Sequence, residues 1–367
     1  IGSLEQLKAF NASSNSLGSI PSIIYELSNL ESLDLSFNSL KGTIDEALGN
    51  LTQLKFLSLH ENRLSGQVPQ SMSRLSQMEY LRLSRNKLNG EIPLFYGTMV
   101  EGSFDGNSFS GNIPSLSQSS AQVFRLEKLS LNDNQLNGTI PDLSRLSSLE
   151  ILDLWNNRLS GEIPVSLPPN LKYMRIGSNK LESVLPASIG ELQSLEFFDA
   201  SLNKLNSTLP TTLGRLSNLK QLYLAANNII GSIPSTIGGL LALEELWLNN
   251  NRLTGTIPSE IGKVLKLRSF LVFHNKMTGT IPSVLGSLSN IGELTLDRND
   301  FTGTIPEELG NLQKAYDISM TVNMLQGSVP NSMCLLREAG TLQRFEVDSK
   351  LGCTCCTNGC ARPRMDC

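Results

Sequence analysis

Few side chains in this 367-residue sequence are of a type that does chemistry: two histidines, six cysteines and a scatter of carboxylates. Acid–base or nucleophilic catalysis needs its partners within hydrogen-bond reach. His60 and His274 lie nine repeats apart in the pattern set out below, which at a strand spacing of roughly 5 Å approaches ~45 Å. The cysteines are confined to position 334 and beyond, and no GxSxG, HExxH or phosphate-cradling glycine loop is present. Asp153 and Asp199 would have to converge to act as a glycosidase pair, and solvated surface acids are far commoner. The reading is non-enzymatic, with no catalytic residue, cofactor or metal.

Cys334, Cys353, Cys355, Cys356, Cys360 and Cys367 occupy the last 34 residues. Six cysteines allow 15 pairings, and sequence does not choose among them. A zinc site from Cys353, Cys355, Cys356 and Cys360 would lack the paired C-x2-C knuckles of common zinc modules and has no histidine nearby. Disulfides are therefore expected, and with them an oxidising compartment. Four Asn-x-Ser/Thr sequons, at Asn11, Asn50, Asn137 and Asn206, are candidate glycan acceptors and point the same way.

The elements that must position these groups come from one repeated unit, seen at Leu243-Glu-Glu-Leu-Trp-Leu-Asn-Asn-Asn-Arg-Leu-Thr-Gly-Thr-Ile-Pro258. Its asparagine recurs at 15, 38, 62, 86, 107, 134, 157, 179, 203, 227, 251, 275, 299 and 323, giving 14 repeats. The step is 24 residues throughout after Asn179 and varies between 21 and 27 before it. A fixed short period means a solenoid, in which each repeat buries its leucines only against its neighbours. Leu246-Trp-Leu alternates apolar and exposed positions, so it reads as a short strand, and stacked copies build a parallel sheet. Asn carries donors and acceptors on a short arm and is suited to satisfy a buried turn as a stacked ladder. Glycine four residues later, as at Gly42, Gly66, Gly90, Gly255 and Gly303, permits positive φ or close backbone approach, and the following Ile-Pro favours an extended flank.

The motif LxxLxLxxNxLxGxIP, read at Leu54 to Pro69 or Leu219 to Pro234, resembles plant-type extracellular leucine-rich-repeat proteins, which include receptor ectodomains and polygalacturonase inhibitors. That resemblance implies an α/β repeat solenoid: a right-handed superhelix with a parallel sheet on its concave face and helical or 3-10 segments on its convex side. The cysteine cluster is similar to the ends of secreted leucine-rich-repeat proteins of diatoms and related algae. Residues 1–330 are read as the solenoid and 331–367 as a cysteine-rich cap. The resemblance also implies a cysteine-paired cap before the first repeat. The first repeat here starts without one, so its apolar edge is expected to be covered by a missing upstream part or by a partner chain, and self-association through that coil stays open.

Three places depart from the pattern. The coil around Asn107 has Met99, Gly102 and Phe104 where leucines are expected, and polar residues follow near Ser117–Ala121. A tolerated change of loop length explains this better than an inserted ligand-binding island. Leu167-Pro-Pro-Asn170 should make its flank extended, because proline donates no backbone hydrogen bond. After Pro330 the pattern stops.

Composition narrows the partners. A net charge of −4 and a pI near 5.5 give no electrostatic case for nucleic acid or an anionic membrane. No apolar run is long enough to span a bilayer. The informative residues are the exposed strand positions, whose identities the coil does not dictate. Four before the Asn stand Asp153, Arg175, Asp199, Tyr223, Trp247, Leu271 and Thr295; two before it, Trp155, Phe273 and Asp297; six before it, Tyr173 and Phe197; one before it, Leu202 and His274. Both tryptophans fall on this face. Exposed aromatics mixed with charges make a recognition surface, whereas rings lying flat on their neighbours would merely cover the sheet. One residue after the Asn, Arg63, Lys87, Arg158, Lys180, Lys204, Arg252 and Lys276 form a basic column, read as a solvated edge before an anion site.

The sequence thus points to a secreted or cell-surface recognition protein. It would bind a peptide, protein or polysaccharide on the concave face through Asp153, Trp155, Tyr173, Arg175, Phe197, Asp199, Tyr223, Trp247, Leu271, Phe273 and His274. A structural or adhesive glycoprotein of a wall or extracellular assembly is the alternative.

Overall fold

The computed structural model describes residues 6–93, 98–115 and 124–352. They form two compact units, Ile1–Leu181 and Glu182–Cys367. In the first, eight parallel strands run in sequence order from Ala9–Asn11 to Tyr173–Arg175; in the second, seven run from Phe197–Asp199 to Arg344–Glu346. The strands are three residues long because only three positions separate the helical flank from the Asn turn. Their middle residue, such as Leu152, Leu222 or Leu246, is wholly buried, and the residues on either side face outward. Pairing is in register, so equivalent positions meet: Tyr223 lies opposite Trp247, and Trp247 opposite Leu271.

The asparagines join coil to coil. Asn251, 9% exposed, donates through Nδ2 to Leu224 O of the preceding coil (2.9 Å) and to Leu248 O (3.1 Å) and Asn249 O (3.3 Å) of its own turn. Its Oδ1 accepts from the Ile229 N–H of the preceding coil (2.9 Å). Asn62 repeats the arrangement on Leu35 O, Leu59 O, His60 O and the Leu40 N–H. Four backbone groups of a tight buried turn are satisfied by one side chain, where leaving them unpaired would be expensive.

The residue before the Asn is forced into the left-handed region, with φ near 55° at Ser14, Glu61, Asp133, Leu202, Asn250, His274 and Val322. Side chains as different as Val322 and Arg298 accept this, so the tertiary ladder overrides local preference there. The glycine four residues on also has positive φ, 72° at Gly255 and 84° at Gly42, as its type predicted.

Behind the sheet, five-residue 3-10 helices such as Thr211–Arg215 and Ser235–Gly239 begin after a proline whose carbonyl accepts from the N–H of their third residue, Leu213 to Pro210 at 3.1 Å. In one coil Asp45 replaces the proline, and its carboxylate accepts from the Ala47 N–H (2.8 Å). Glycine in the fourth helical position is dictated by packing: a Cβ on Gly214 would stand 2.1 Å from Thr236 O of the next coil. The Pro-Pro coil has no such helix, but Pro169 and Asn170 form a turn there in place of the extended flank expected.

The irregular coil keeps its core by exchange of volume. Gly102 lacks the side chain that Leu129 supplies next door, and Phe104 and Met99 fill the space, each within about 3 Å of where a Cβ on Gly102 would lie. Phe104 also meets Phe109 edge-on at 6.0 Å. The polar stretch near Ser117–Ala121 lies outside the described residues. So does every cysteine but Cys334, which is buried on α1 (Asn331–Glu338).

One coil more than the asparagines announce is present. Arg344–Glu346 pairs with Asp317–Ser319, and Lys350 stands where the Asn would be, its Nζ donating to Asn323 O (2.8 Å). Asp348 accepts from the Val322 and Asn323 N–H groups (2.7 and 3.1 Å). The described part of the segment read as a cap therefore continues the sheet.

Asn251→Ala should lower unfolding free energy by about 3 kcal/mol or more, since it strands several buried backbone groups. Asn15→Ala should cost less than about 1 kcal/mol, because Asn15 is exposed and, among the described residues, its side chain bonds only Ala12 O and Ser13 O of its own turn. Urea denaturation of the two variants beside the parent checks the contrast.

Candidate recognition surface

In the first unit, Trp155, Arg175 and Asp153 form one cluster. The Arg175 guanidinium lies over the Trp155 ring, 4.4 Å from its centroid, and approaches Asp153 at 3.8 Å. Asp153 accepts from the Trp155 N–H (3.0 Å), and burial pushes its carboxyl above the ordinary range in spite of that bond. Tyr173 begins the same strand as Arg175 and is half-buried.

In the second unit the aromatics form a run. Phe197 meets Tyr223 edge-on (5.5 Å, 90°), and Tyr223 stacks on Trp247 (4.2 Å, 26°). The tyrosine hydroxyl donates to Glu245 Oε2 (2.6 Å) and accepts from Gln221 Nε2 (2.9 Å), which also donates to Glu245 Oε1 (3.0 Å). Trp247 Nε1 donates to Ser269 Oγ (3.1 Å). Rings lie on neighbouring rings here, as the covering alternative foresaw, yet each keeps an accessible side, and every polar atom on them is fixed. Such a surface is preorganised, so a ligand need not order it.

Two expected members are not on the open surface. Asp199 is 5% exposed, its carboxylate accepting from the Ser201 N–H and Oγ (2.9 and 2.6 Å), and Leu271 is 8% exposed. Strand alternation put both outward, but in an in-register sheet a large neighbour such as Trp247 beside Leu271 covers a smaller side chain. Phe273 is half-buried, and His274, exposed on the left-handed turn, contacts Asn250 Oδ1 through Nδ1 (2.8 Å). His60 belongs to the first unit, pairs with Ser58 Oγ (2.8 Å), and is held below the usual imidazole range chiefly by burial. The basic column is exposed at Arg63, Lys87, Arg158, Lys180, Lys204, Arg252 and Lys276.

Sequence reasoning missed the polar column six before the Asn in the second unit: Gln221, Glu245, Ser269, Glu293 and Asp317. Writing that column out in full would have found it. Trp247, Glu245, Ser269 and Glu293, with Tyr316 and Gly292, line a cleft of about 590 Å³. Burial raises Glu293 above the usual carboxylate range, helped by Asp317 and Glu245 and opposed by the Ser269 bond and Arg344. Asp317 is also raised, chiefly by burial, although Arg344 Nη1 lies 3.0 Å away.

Stacked parallel strands, a buried leucine column and an Asn ladder define the leucine-rich-repeat fold, and the chain belongs to the leucine-rich-repeat family. The description "Leucine-rich repeat region" matches residues 126–336, and "Leucine rich repeat" matches 28–88. Its repeats are of the plant extracellular type: the chain is similar to the PEPR1–AtPEP1 crystal structure, with 31% identity and a TM-score of 0.80 over 96% of this chain and 52% of that one. It is similar also to the Arabidopsis receptor kinase HAESA ectodomain bound to an IDA peptide hormone, with 30% identity and a TM-score of 0.79 over 96% of this chain and 63% of that one. A leucine-rich-repeat protein of Leptospira interrogans is 29% identical, with a TM-score of 0.73 over 95% of this chain and 86% of that one. The chain thus spans between half and two thirds of the two receptor chains. No curated protein sequence matches it significantly.

A carboxyl raised in the folded state binds protons more tightly there than in the unfolded chain. The contribution of Glu293 to stability is therefore greatest below its ordinary pKa and falls as pH rises through the folded value. Glu293→Gln should accordingly be more stable than the parent at neutral pH, with the gap closing on mild acidification. Urea midpoints of both proteins across that range measure it.

Proposed function

We propose that the outward face of the sheet in the unit from Glu182 onward recognises a peptide, without chemistry and without a cofactor. The carrying observation is the run Phe197, Tyr223 and Trp247, three rings in contact on adjacent coils with their polar atoms already bonded. Rigid aromatics supply contact area at little entropic cost, and fixed donors and acceptors lower the penalty of ordering. The similar HAESA structure is a receptor ectodomain with a peptide hormone bound, which favours a peptide among the ligand classes open from sequence. In-register three-residue strands also present equivalent side chains at regular intervals, a spacing suited to an extended chain laid across them.

The test is selection of binders from a random peptide display library on the immobilised protein, followed by affinity measurement against Tyr223→Ala and Trp247→Ala. Binding by the parent with a loss of about tenfold or more in each variant supports the reading. Binders indifferent to both substitutions, or no binders, would sink it.

We further infer an extracellular setting. It is supported by the cluster of six cysteines, expected to pair as disulfides, and by the exposure of all four sequon asparagines, Asn11, Asn50, Asn137 and Asn206. One of the similar structures, that of HAESA, is a receptor-kinase ectodomain; among the described residues no helix is long and apolar enough to cross a membrane. Intact mass of protein from a secretory host should fall on glycosidase treatment and should rise with alkylation only after reduction. A mass unchanged by both treatments would refute this.

A further inference from the structure

The cleft beside Trp247 has features that the aromatic run does not need. It opens because Gly292 stands where preceding coils carry Glu244 and Arg268, and the Tyr316 ring leans over the bare backbone, 2.6 Å from where a Cβ on Gly292 would lie. Trp247 and Tyr316 therefore bound the cleft from coils three apart, a separation of roughly 14 Å at the strand spacing. Glu293 stands on a coil between them, and Glu245 on the strand of Trp247.

Neither carboxylate has an ion-pair partner among the described residues. Glu293 accepts only the Ser269 hydroxyl (3.2 Å), and Glu245 is bonded to neutral Gln221 and Tyr223. The cations on the rim are engaged elsewhere: Arg268 lies 3.4 Å from Glu244, Lys314 donates to Asn290 Oδ1 (2.7 Å), and Arg344 is held by Asp317 and Glu346. A partly buried carboxylate without a counter-charge is destabilising on its own, as the upward displacement of Glu293 reflects. Thr295, two residues on along the same strand and so on the same face, is 4% exposed, and its hydroxyl has no hydrogen-bond partner. It lies in the register row of Trp247 and Leu271. The cleft is thus lined by a carboxylate that forms no ion pair among the described residues and by two accessible rings, and the unpartnered Thr295 hydroxyl follows Glu293 on the same strand.

We propose that this cleft is the subsite for one arginine side chain of the peptide ligand, its guanidinium on Glu293 between Trp247 and Tyr316. The inference rests on the peptide-binding reading above and adds the chemistry of one ligand position. A guanidinium presents a planar fork to a carboxylate and a flat face to an aromatic ring, and it is more weakly hydrated than an ammonium, so it suits this wall better than lysine does.

The experiment is parallel selection from one random peptide library on the parent, Glu293→Gln and Tyr316→Ala. Glu293→Gln keeps the shape of the side chain and an acceptor for Ser269, so its fold should survive. Peptides selected on the parent should carry arginine at one fixed position, and that enrichment should vanish on Glu293→Gln. Replacing the arginine by citrulline should weaken binding to the parent about tenfold and leave binding to Glu293→Gln nearly unchanged. Peptides that need Tyr223 but show no arginine preference, or that bind Glu293→Gln as well as the parent, would overturn the subsite and leave the peptide reading intact. Equal enrichment of lysine would overturn the guanidinium assignment, and a library without binders would overturn both.

Discussion

Along most of this protein an asparagine side chain ties one coil to the coil before it, and the rest of the structure depends on that tie. At Asn251 the amide spans two turns, donating forward into its own and backward to Leu224 O while accepting from the Ile229 N–H. The bonds recur with little variation at Asn62, Asn134, Asn227 and Asn299. Since they set the distance and register between coils, leucines at equivalent positions stack on one another, and glycine is required where the 3-10 segments pack backbone to backbone as tightly as at Gly214. The left-handed residue before each Asn is the strain accepted for that geometry.

The same register makes the outward face informative. Side chains at one offset in successive coils must meet, so their identities alone decide whether they pair, stack or leave a gap. Lys8, Glu31 and Lys55 form exposed ion pairs along one such column, and Glu31 is held down to about 2 by Lys55 and then Lys8. Exposed pairs of this kind contribute little to stability. Tyr223 beside Trp247 gives a stack, whereas Gly292 beside Tyr316 gives a cleft. Recognition chemistry in such a fold is written in columns, and the coil itself is indifferent to it.

Much of this was legible beforehand. The period, the Asn ladder and the positive φ of Gly255 followed from residue type and spacing. Three features were not. The fifteenth strand escaped because Lys350 replaces the ruler. The left-handed residues escaped because Leu202, His274 and Val322 carry no local signature for that conformation. Asp199 and Leu271 were read as surface, since alternation along a strand says which way a side chain points and nothing about what its neighbours cover.

The sequence by itself determined the fold, because a short repeat leaves each coil one way to bury its leucines and satisfy its turn, and 14 copies state that solution over and over. It also determined which positions face outward. Only the tertiary structure decided what those positions amount to: that Tyr223 is held by Glu245, that Arg175 rests on Trp155, and that Glu293, beside a gap made by Gly292, forms no ion pair among the described residues. The physical reason is distance in the chain. Partners on the sheet face are separated by a full repeat or more, and whether they touch depends on side-chain conformations that no single repeat encodes.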